Sequence, residues 1–229
     1  MEAIVLAGGF GTRLAARLNG VPKPMAPIAG RPFLEIVLRQ LRRCGATRVL
    51  LSVGYLHETI QAYFGASFEG MRVEYVIEET PLGTGGAIRR SLELVGENAA
   101  LVLNGDTYLD ADYAEMMRFH TEQKALMTLA VTRQEDIARY GGVRIVEDHV
   151  AGFEEKGRSG PGWINAGAYV LSRDLPWPPQ CTGAFSFEKD VLAVKVSELQ
   201  PAAYPVQGFF LDIGIPEDFD RAQIALAEV

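Results

Sequence analysis

The chain has 229 residues, 22 basic against 29 acidic side chains, and 48% of it is hydrophobic, which describes one large globular domain or two small ones with a sizeable core. The net charge of −7 excludes a broad basic face gripping nucleic acid, since that affinity comes from clustered Lys and Arg, so any phosphate must be held locally. Cys44 and Cys181 are isolated and lack metal-ligand spacing, which argues against a disulfide framework or a zinc site and fits a reducing cytoplasm.

The N-terminal apolar run is too short for a signal peptide, and no stretch reaches the length of a membrane span. Residues 3–7, 49–51 and 99–103 are short, continuously apolar runs, as expected of parallel strands covered on both faces. From Pro32, Leu34, Val37, Leu38 and Leu41 recur at helical spacing, with Arg42 and Arg43 near the end and Gly45 as the stop. Further helices are expected over 56–64, 84–94 and 112–123. This alternation is βαβ grammar and predicts a doubly wound α/β sheet. After Lys124, residues 126–132, 142–146 and 163–171 read as strands joined by Gly-rich turns, so the sheet becomes mixed. Pro176-Trp177-Pro178-Pro179 precedes a short helix near 187–194, and a last helix starts around Pro216. No linker interrupts the pattern, so residues 1–229 are expected to form one domain.

Directly after the first strand stands Gly8-Gly9-Phe10-Gly11-Thr12-Arg13-Leu14, followed by Pro22-Lys23-Pro24. A Gly-rich turn there lets backbone N–H groups approach an anion at the carboxyl edge of an α/β sheet. The loop is no dinucleotide fingerprint: Leu14 stands where a third Gly belongs, and Ser52-Val53-Gly54 replaces the acid after the second strand. It is no Walker loop either, because Gly-Lys followed by Ser or Thr does not occur. Arg13 and Lys23 beside a backbone cradle suit a triphosphate, one forking onto phosphate oxygens and one acting as a point charge. The plainer alternative is a tight turn with two solvated cations.

The string LAGGFGTRL followed by PKPM resembles the signature of sugar-1-phosphate nucleotidyltransferases. Further matches are PLGTGGAI at 81–88, LNGDT at 103–107, FEEK at 153–156, INAGAY at 164–169 and FLDIGIPEDFDRAQ at 210–223. Within the family, FSFEKD at 185–190 and the LDIGIPED run are most similar to D-glycero-α-D-manno-heptose 1-phosphate guanylyltransferases. The resemblance implies a Rossmann-like, three-layer α/β/α fold of the nucleotide-diphospho-sugar transferase type. It also implies a nucleotide-binding half over about 1–110 and a sugar-binding half over about 111–229. Asp106 follows an apolar strand directly and should project at the edge that carries the glycine loop; Asp212 follows Phe209-Phe210-Leu211. By resemblance these two are ligands of Mg²⁺, which favours few carboxylates plus phosphate oxygens and water. Taken singly, each Asp is as readily an Asx-turn or a cap.

Arg13, Lys23 and Asp106 are the implied catalytic residues. A sugar 1-phosphate is already an anionic nucleophile, so attack on the nucleotide α-phosphorus needs alignment and charge neutralisation but no general base. His57, His120 and His149 accordingly read as surface or hydrogen-bonding residues. The nucleotide is expected against Leu6, Ala7, Gly8, Gly9, Gly11, Thr12, Arg13, Glu78, Gly83 and Thr84. Glu78 is acceptor-only, which suits the N1–H and N2–H edge of guanine, with Glu79 as an alternative reader. Gly83, Gly85 and Gly86 would let backbone read the base closely. Asn104, Gly142, Glu155, Lys156, Asn165, Gly167 and Lys189 are the implied sugar-phosphate contacts, with Glu188 as an additional sugar contact; Trp163 and Tyr169 read as core or pocket wall. The expected reaction joins GTP and a heptose 1-phosphate to give GDP-heptose and pyrophosphate for surface glycan synthesis in the cytoplasm. Nucleic acid and membrane are not expected partners, and a homodimer is the default assembly. Alternatives are another sugar 1-phosphate (mannose, glucose or N-acetylmuramic acid) with GTP, UTP or dTTP, and a silent nucleotide-sugar-binding regulatory subunit. The presence of Arg13, Lys23, Asp106 and Asp212 together favours an enzyme.

Overall fold

The computed structural model describes the whole chain except Phe10, Thr12, Arg13 and Asn19, so two of the expected site residues, Thr12 and Arg13, lie outside the described residues. The first half runs β1 (Glu2–Leu6), α1 (Ala15–Leu18), β2 (Pro27–Ile28), β3 (Arg31–Pro32), α2 (Phe33–Arg43), β4 (Arg48–Val53), α3 (His57–Phe64), β5 (Ser67–Phe68), β6 (Met71–Ile77), α4 (Gly83–Leu92) and β7 (Ala99–Asn104). The second runs β8 (Thr107–Leu109), α5 (Tyr113–Glu122), β9 (Met127–Gln134), β10 (Val143–Val146), β11 (His149–Phe153) and β12 (Gly162–Ser172). A π-helical turn (Phe187–Leu192) then leads into α6 (Ala193–Leu199), β13 (Ala202–Val206), β14 (Phe210–Asp212) and α7 (Pro216–Ala225).

Ten of these strands form one sheet in the order β10-β11-β13-β9-β12-β7-β1-β4-β6-β5. Strands β7, β1, β4 and β6 pair in parallel, and β12 enters antiparallel between β7 and β9. The expected mixed sheet is therefore present. Its two faces are covered by separate apolar clusters. Leu34, Leu38 and Leu41 of α2 pack with Ile60 of α3, Met116 of α5 and Phe219 of α7 on one side; Ile88 and Leu92 of α4 pack with Phe187, Val191 and Val196 on the other. This is a three-layer, doubly wound arrangement. Leu38 is fully buried, and cutting such a side chain back to Ala costs about 2–5 kcal/mol.

Four sheet strands, β5, β6, β11 and β13, escape the sequence reading, and for two of them the cause is plain. In β6 the apolar residues alternate with Arg72 and Glu74, because one face near the sheet edge carries charge, with Glu74 held by Arg48 at 2.7 Å. Strand β13 contains Pro205, which cannot donate to a ladder and disguises a strand that nevertheless pairs in parallel with β9.

The topology fixes where a ligand can sit. The chain builds outward from β1 to β4 and β6, then crosses back to place β7 on the other flank of β1. The strand order reverses between β1 and β7, and open α/β sheets bind ligands in the crevice outside such a switch point. The glycine loop after β1 and Asn104-Gly105-Asp106 after β7 flank it. Gly105 N donates to Leu6 O at 2.9 Å, and a Cβ on Gly105 would lie 2.5 Å from that oxygen, so only glycine lets the two turns close on each other.

Candidate active site

Two carboxylates 106 residues apart meet because of a small ribbon. Strand β8 leaves the Asp106 turn and pairs antiparallel with β14, with Asp212 opposite Thr107, and Ile213 N donates to Asp106 O at 3.0 Å. Lys23, in a tight 3-10 turn between Pro22 and Met25, points into the gap. Its Nζ donates to Asp106 Oδ2 at 2.5 Å and lies 3.9 Å from Asp212 Oδ1.

Asp212 is the more constrained acid. Burial raises its pKa, Asp106 raises it further, and Lys23 and Arg139 pull it back down. Arg139 donates to Asp212 O at 3.3 Å and to Oδ2 at 3.4 Å, pairs with Asp218 of α7, and stacks 4.6 Å over Tyr140. The other oxygen, Oδ1, is buried without a hydrogen-bond partner. A buried, unpartnered carboxylate oxygen beside a second carboxylate is costly unless a cation completes it. Among the described residues no group of three or more His, Cys, Asp or Glu gathers as a metal cage. Two carboxylates in a phosphate-sized crevice suit Mg²⁺, which takes one or two protein carboxylates and fills its octahedron with phosphate oxygens and water.

Next to this cluster is a pocket of about 290 Å³ lined by Leu6, Gly8, Gly9, Lys23, Pro24, Glu78, Pro81, Gly83, Thr84, Ala87, Asn104 and Asp106. Most of the expected nucleotide residues converge here. Ala7 does not: it is buried, its N–H donating to Ser52 O at 2.7 Å in the sheet. Gly11 packs against Lys23, where a Cβ would lie 2.7 Å from that of the lysine. Glu78 faces the pocket, but each of its oxygens already accepts an internal bond, Oε1 from Ser52 Oγ and Oε2 from Leu82 N, both at 2.9 Å. It thus braces the loop at 78–82 and keeps its remaining lone pairs open to the pocket. Glu79 is exposed beside Tyr55 and His57 in a neighbouring groove.

Two glycines differ from their expected use. A Cβ on Gly85 would fall 2.2 Å from the Phe185 ring, and one on Gly86 2.5 Å from Gly183 O. They admit the strap 183–187 against α4 and do not open backbone to a base.

The expected sugar residues divide. Asn165 and Gly167 sit in β12; Gly167 presses against Asn104, which lines the pocket. Gly142 backs onto the Glu154 carboxylate. Glu155 and Lys156 are exposed on a loop, and Lys189 is exposed on the π-helical turn, all outside that pocket. Glu188 Oε2 accepts from Thr84 Oγ1 at 2.9 Å and from Ser186 Oγ at 3.2 Å, so its carboxylate is engaged by protein. Arg139 is the functional candidate the sequence reading overlooks; its one signal is a cation immediately before the Tyr140-Gly141-Gly142 turn. His120 is buried and bonded to Thr128 Oγ1 at 2.8 Å and Ser172 Oγ at 3.2 Å. Desolvation pushes its pKa down to about 4, a structural role as expected. Both cysteines are free, and among the described residues no helix is long and apolar enough to cross a membrane.

Comparison with known proteins agrees with this geometry. The "Nucleotidyl transferase" family model matches residues 2–228. A D-glycero-alpha-D-manno-heptose 1-phosphate guanylyltransferase of Aneurinibacillus thermoaerophilus is 39% identical, with 97% of each chain covered. One from Campylobacter jejuni is 41% identical over 96% of this chain and 97% of its own. The crystal structure of HddC from Yersinia pseudotuberculosis complexed with GMP-PN superposes with a TM-score of 0.83 at 35% identity, covering 97% of both chains. With its Gly loop, Lys23 and paired aspartates at one sheet edge, and with similarity running end to end, the chain belongs to the nucleotidyl transferase family.

Proposed function

We propose that this protein is a guanylyltransferase that joins GTP and D-glycero-α-D-manno-heptose 1-phosphate, giving GDP-heptose and pyrophosphate, and that its product feeds surface glycan synthesis. The observation that carries the reading is the cluster of Lys23, Asp106 and Asp212 at the switch point, beside a pocket whose far wall holds Glu78. A phosphate oxygen of the sugar 1-phosphate attacks the α-phosphorus of GTP, the bond to the bridging oxygen of the β-phosphate breaks, and pyrophosphate leaves with the electron pair. Nothing has to be deprotonated, so the absence of a histidine from the pocket lining is consistent with the chemistry.

The residues divide the work by place. Lys23 holds a positive charge where the incoming phosphate and the α-phosphate approach, and Arg13 is assigned to the transferring and leaving phosphates. Asp106 and Asp212 are the residues that would hold Mg²⁺, which supplies charge neutralisation and alignment of the two phosphates when bound. Glu78 offers acceptors to the guanine edge, while its bonds to Ser52 and Leu82 keep the base loop in place. The nucleotide half is assigned to about residues 1–110 and the sugar half to about 111–229, meeting at β7 and β12.

Pyrophosphate release from GTP, UTP and dTTP, each with heptose, mannose, glucose and N-acetylmuramic acid 1-phosphates, tests this reading. GTP with the heptose phosphate should give the highest kcat/KM. A higher value for another pair would reassign the substrates, and no release from any pair would favour a regulatory subunit.

A further inference from the structure

The pairing of β12 with β9 is broken between Asn165 and Tyr169. A bulge there turns residues of a central strand out of the ladder, a device that re-aims side chains beside functional sites. Gly167 takes φ +69 within it and presses on Asn104, where a Cβ would lie 2.7 Å from Nδ2. Asn104 lines the pocket together with Asp106, so the bulge backs the Asn104 side of that wall.

The bulge is held by a directed set of bonds. Asn165 Oδ1 accepts from Gly167 N at 3.0 Å, and Asn165 Nδ2 donates to Tyr169 Oη at 2.8 Å. That fixes which way the amide faces, leaving one N–H and one lone pair unassigned. The Tyr169 hydroxyl accepts from Asn165, so its own proton is free for another acceptor, and the Glu188 carboxylate lies beside it. Burial raises the Tyr169 pKa well above the usual phenol value, with Glu188 adding to the rise through its charge and as a hydrogen-bond partner. Glu188 in turn accepts from Thr84 Oγ1 at 2.9 Å, and Thr84 Oγ1 accepts from Phe187 N at 2.9 Å. Thr84 is a pocket residue at the start of α4.

We infer that Glu188 is a positioning residue for the sugar side of the site: through Tyr169 it fixes the Asn165 amide in the β12 bulge, and through Thr84 it ties that amide to the nucleotide wall. This deepens the proposed reaction and rests on it. Glu188 touches no reacting atom. A carboxylate is suited to the place because it only accepts: Thr84 and Ser186 point their protons at it, which removes the rotor freedom of two hydroxyls and leaves acceptor capacity on the side of Tyr169.

Glu188→Gln and Tyr169→Phe, singly and together, test the inference by steady-state kinetics with GTP and the heptose 1-phosphate, alongside thermal melting. Each single change should raise KM for the sugar phosphate about tenfold, with kcat within about threefold and KM for GTP within about twofold. The double variant should be no worse than the poorer single one, because both cut one relay. A merely structural role would lower the melting temperature and the active fraction with both KM values unchanged, and that result overturns the inference. A twofold or smaller rise in sugar KM in the stable Tyr169→Phe protein overturns it as well. Absence of turnover in the wild type would instead defeat the underlying functional reading, and the inference with it.

Discussion

At the β7 and β14 end of the crevice the polar groups are charged: Lys23 pairs with Asp106 and Asp212, and Arg139 with Asp212. At the β12 end they are an amide and hydroxyls arranged around one carboxylate: Asn165, Tyr169, Thr84 and Ser186 around Glu188. The first cluster leaves Asp212 Oδ1 buried and unpartnered; in the second, among the described residues, every buried side-chain oxygen and nitrogen has a hydrogen-bond partner. The difference teaches how to tell the two roles apart. An incomplete set of charges is built to receive something, whereas a completed set of hydrogen bonds is built to hold a shape. Changes in the first should act on turnover by orders of magnitude, and changes in the second on one binding constant.

The largest effect should follow Asp106→Asn, which keeps the size of the side chain and removes its charge. Turnover should fall by about a thousandfold or more with an unchanged circular dichroism spectrum, and retention of a tenth of wild-type activity would refute a catalytic Asp106. A pH titration of stability comes next, because His120 shows the closed style of bonding continued under the sheet. Its folded pKa is pushed down to about 4 from 6.5, so between those values the unfolded chain binds more protons. Stability should therefore rise with pH across that window. As pH falls from 7 to 4 the loss from this group should be on the order of 3 kcal/mol, and His120→Gln should flatten the curve. An equally steep curve in that variant would show that other groups carry the pH dependence.

Arg139→Gln probes the boundary between the clusters, since Arg139 supports an acid and need not touch substrate. The expected cost is about 10–100-fold in kcat/KM, the usual range for residues that orient a metal ligand; wild-type kinetics would reduce Arg139 to an anchor for α7 through Asp218. The smallest change is Glu78→Gln, which should lower the GTP to UTP ratio of kcat/KM about tenfold, one charge-assisted hydrogen bond's worth. An unchanged ratio would move base reading to Glu79 or to backbone.

What the sequence makes legible is local and periodic. Strands β1, β4 and β7 announce themselves because both of their faces are buried, and α2 because its apolar residues follow a helical stripe. The glycine loop and Asp106 are readable because each abuts such an element, and Lys23 because Pro22-Lys23-Pro24 follows the loop closely. Asp212 is readable as a candidate, but its meeting with Asp106 depends on the two-stranded ribbon of β8 and β14, whose three-residue strands carry no periodic signal. Arg139 is hidden for a related reason, since its partners Asp212 and Asp218 lie more than seventy residues away. Gly85 and Gly86 look like ligand-facing glycines, and only the fold reveals that residues 183–187 occupy the space beside them. Glu188 reads as a sugar contact until the fold brings Thr84 and Ser186 to its carboxylate.

The central claim is transfer of a guanylyl group to a sugar phosphate, and ³¹P NMR of the purified protein with GTP, Mg²⁺ and D-glycero-α-D-manno-heptose 1-phosphate tests it most directly. The two doublets of a GDP-sugar pyrophosphate bridge should grow in step with free pyrophosphate, and Asp106→Asn should suppress both. Release of inorganic phosphate with GDP, or no change in the GTP and sugar phosphate signals under the same conditions, would contradict it.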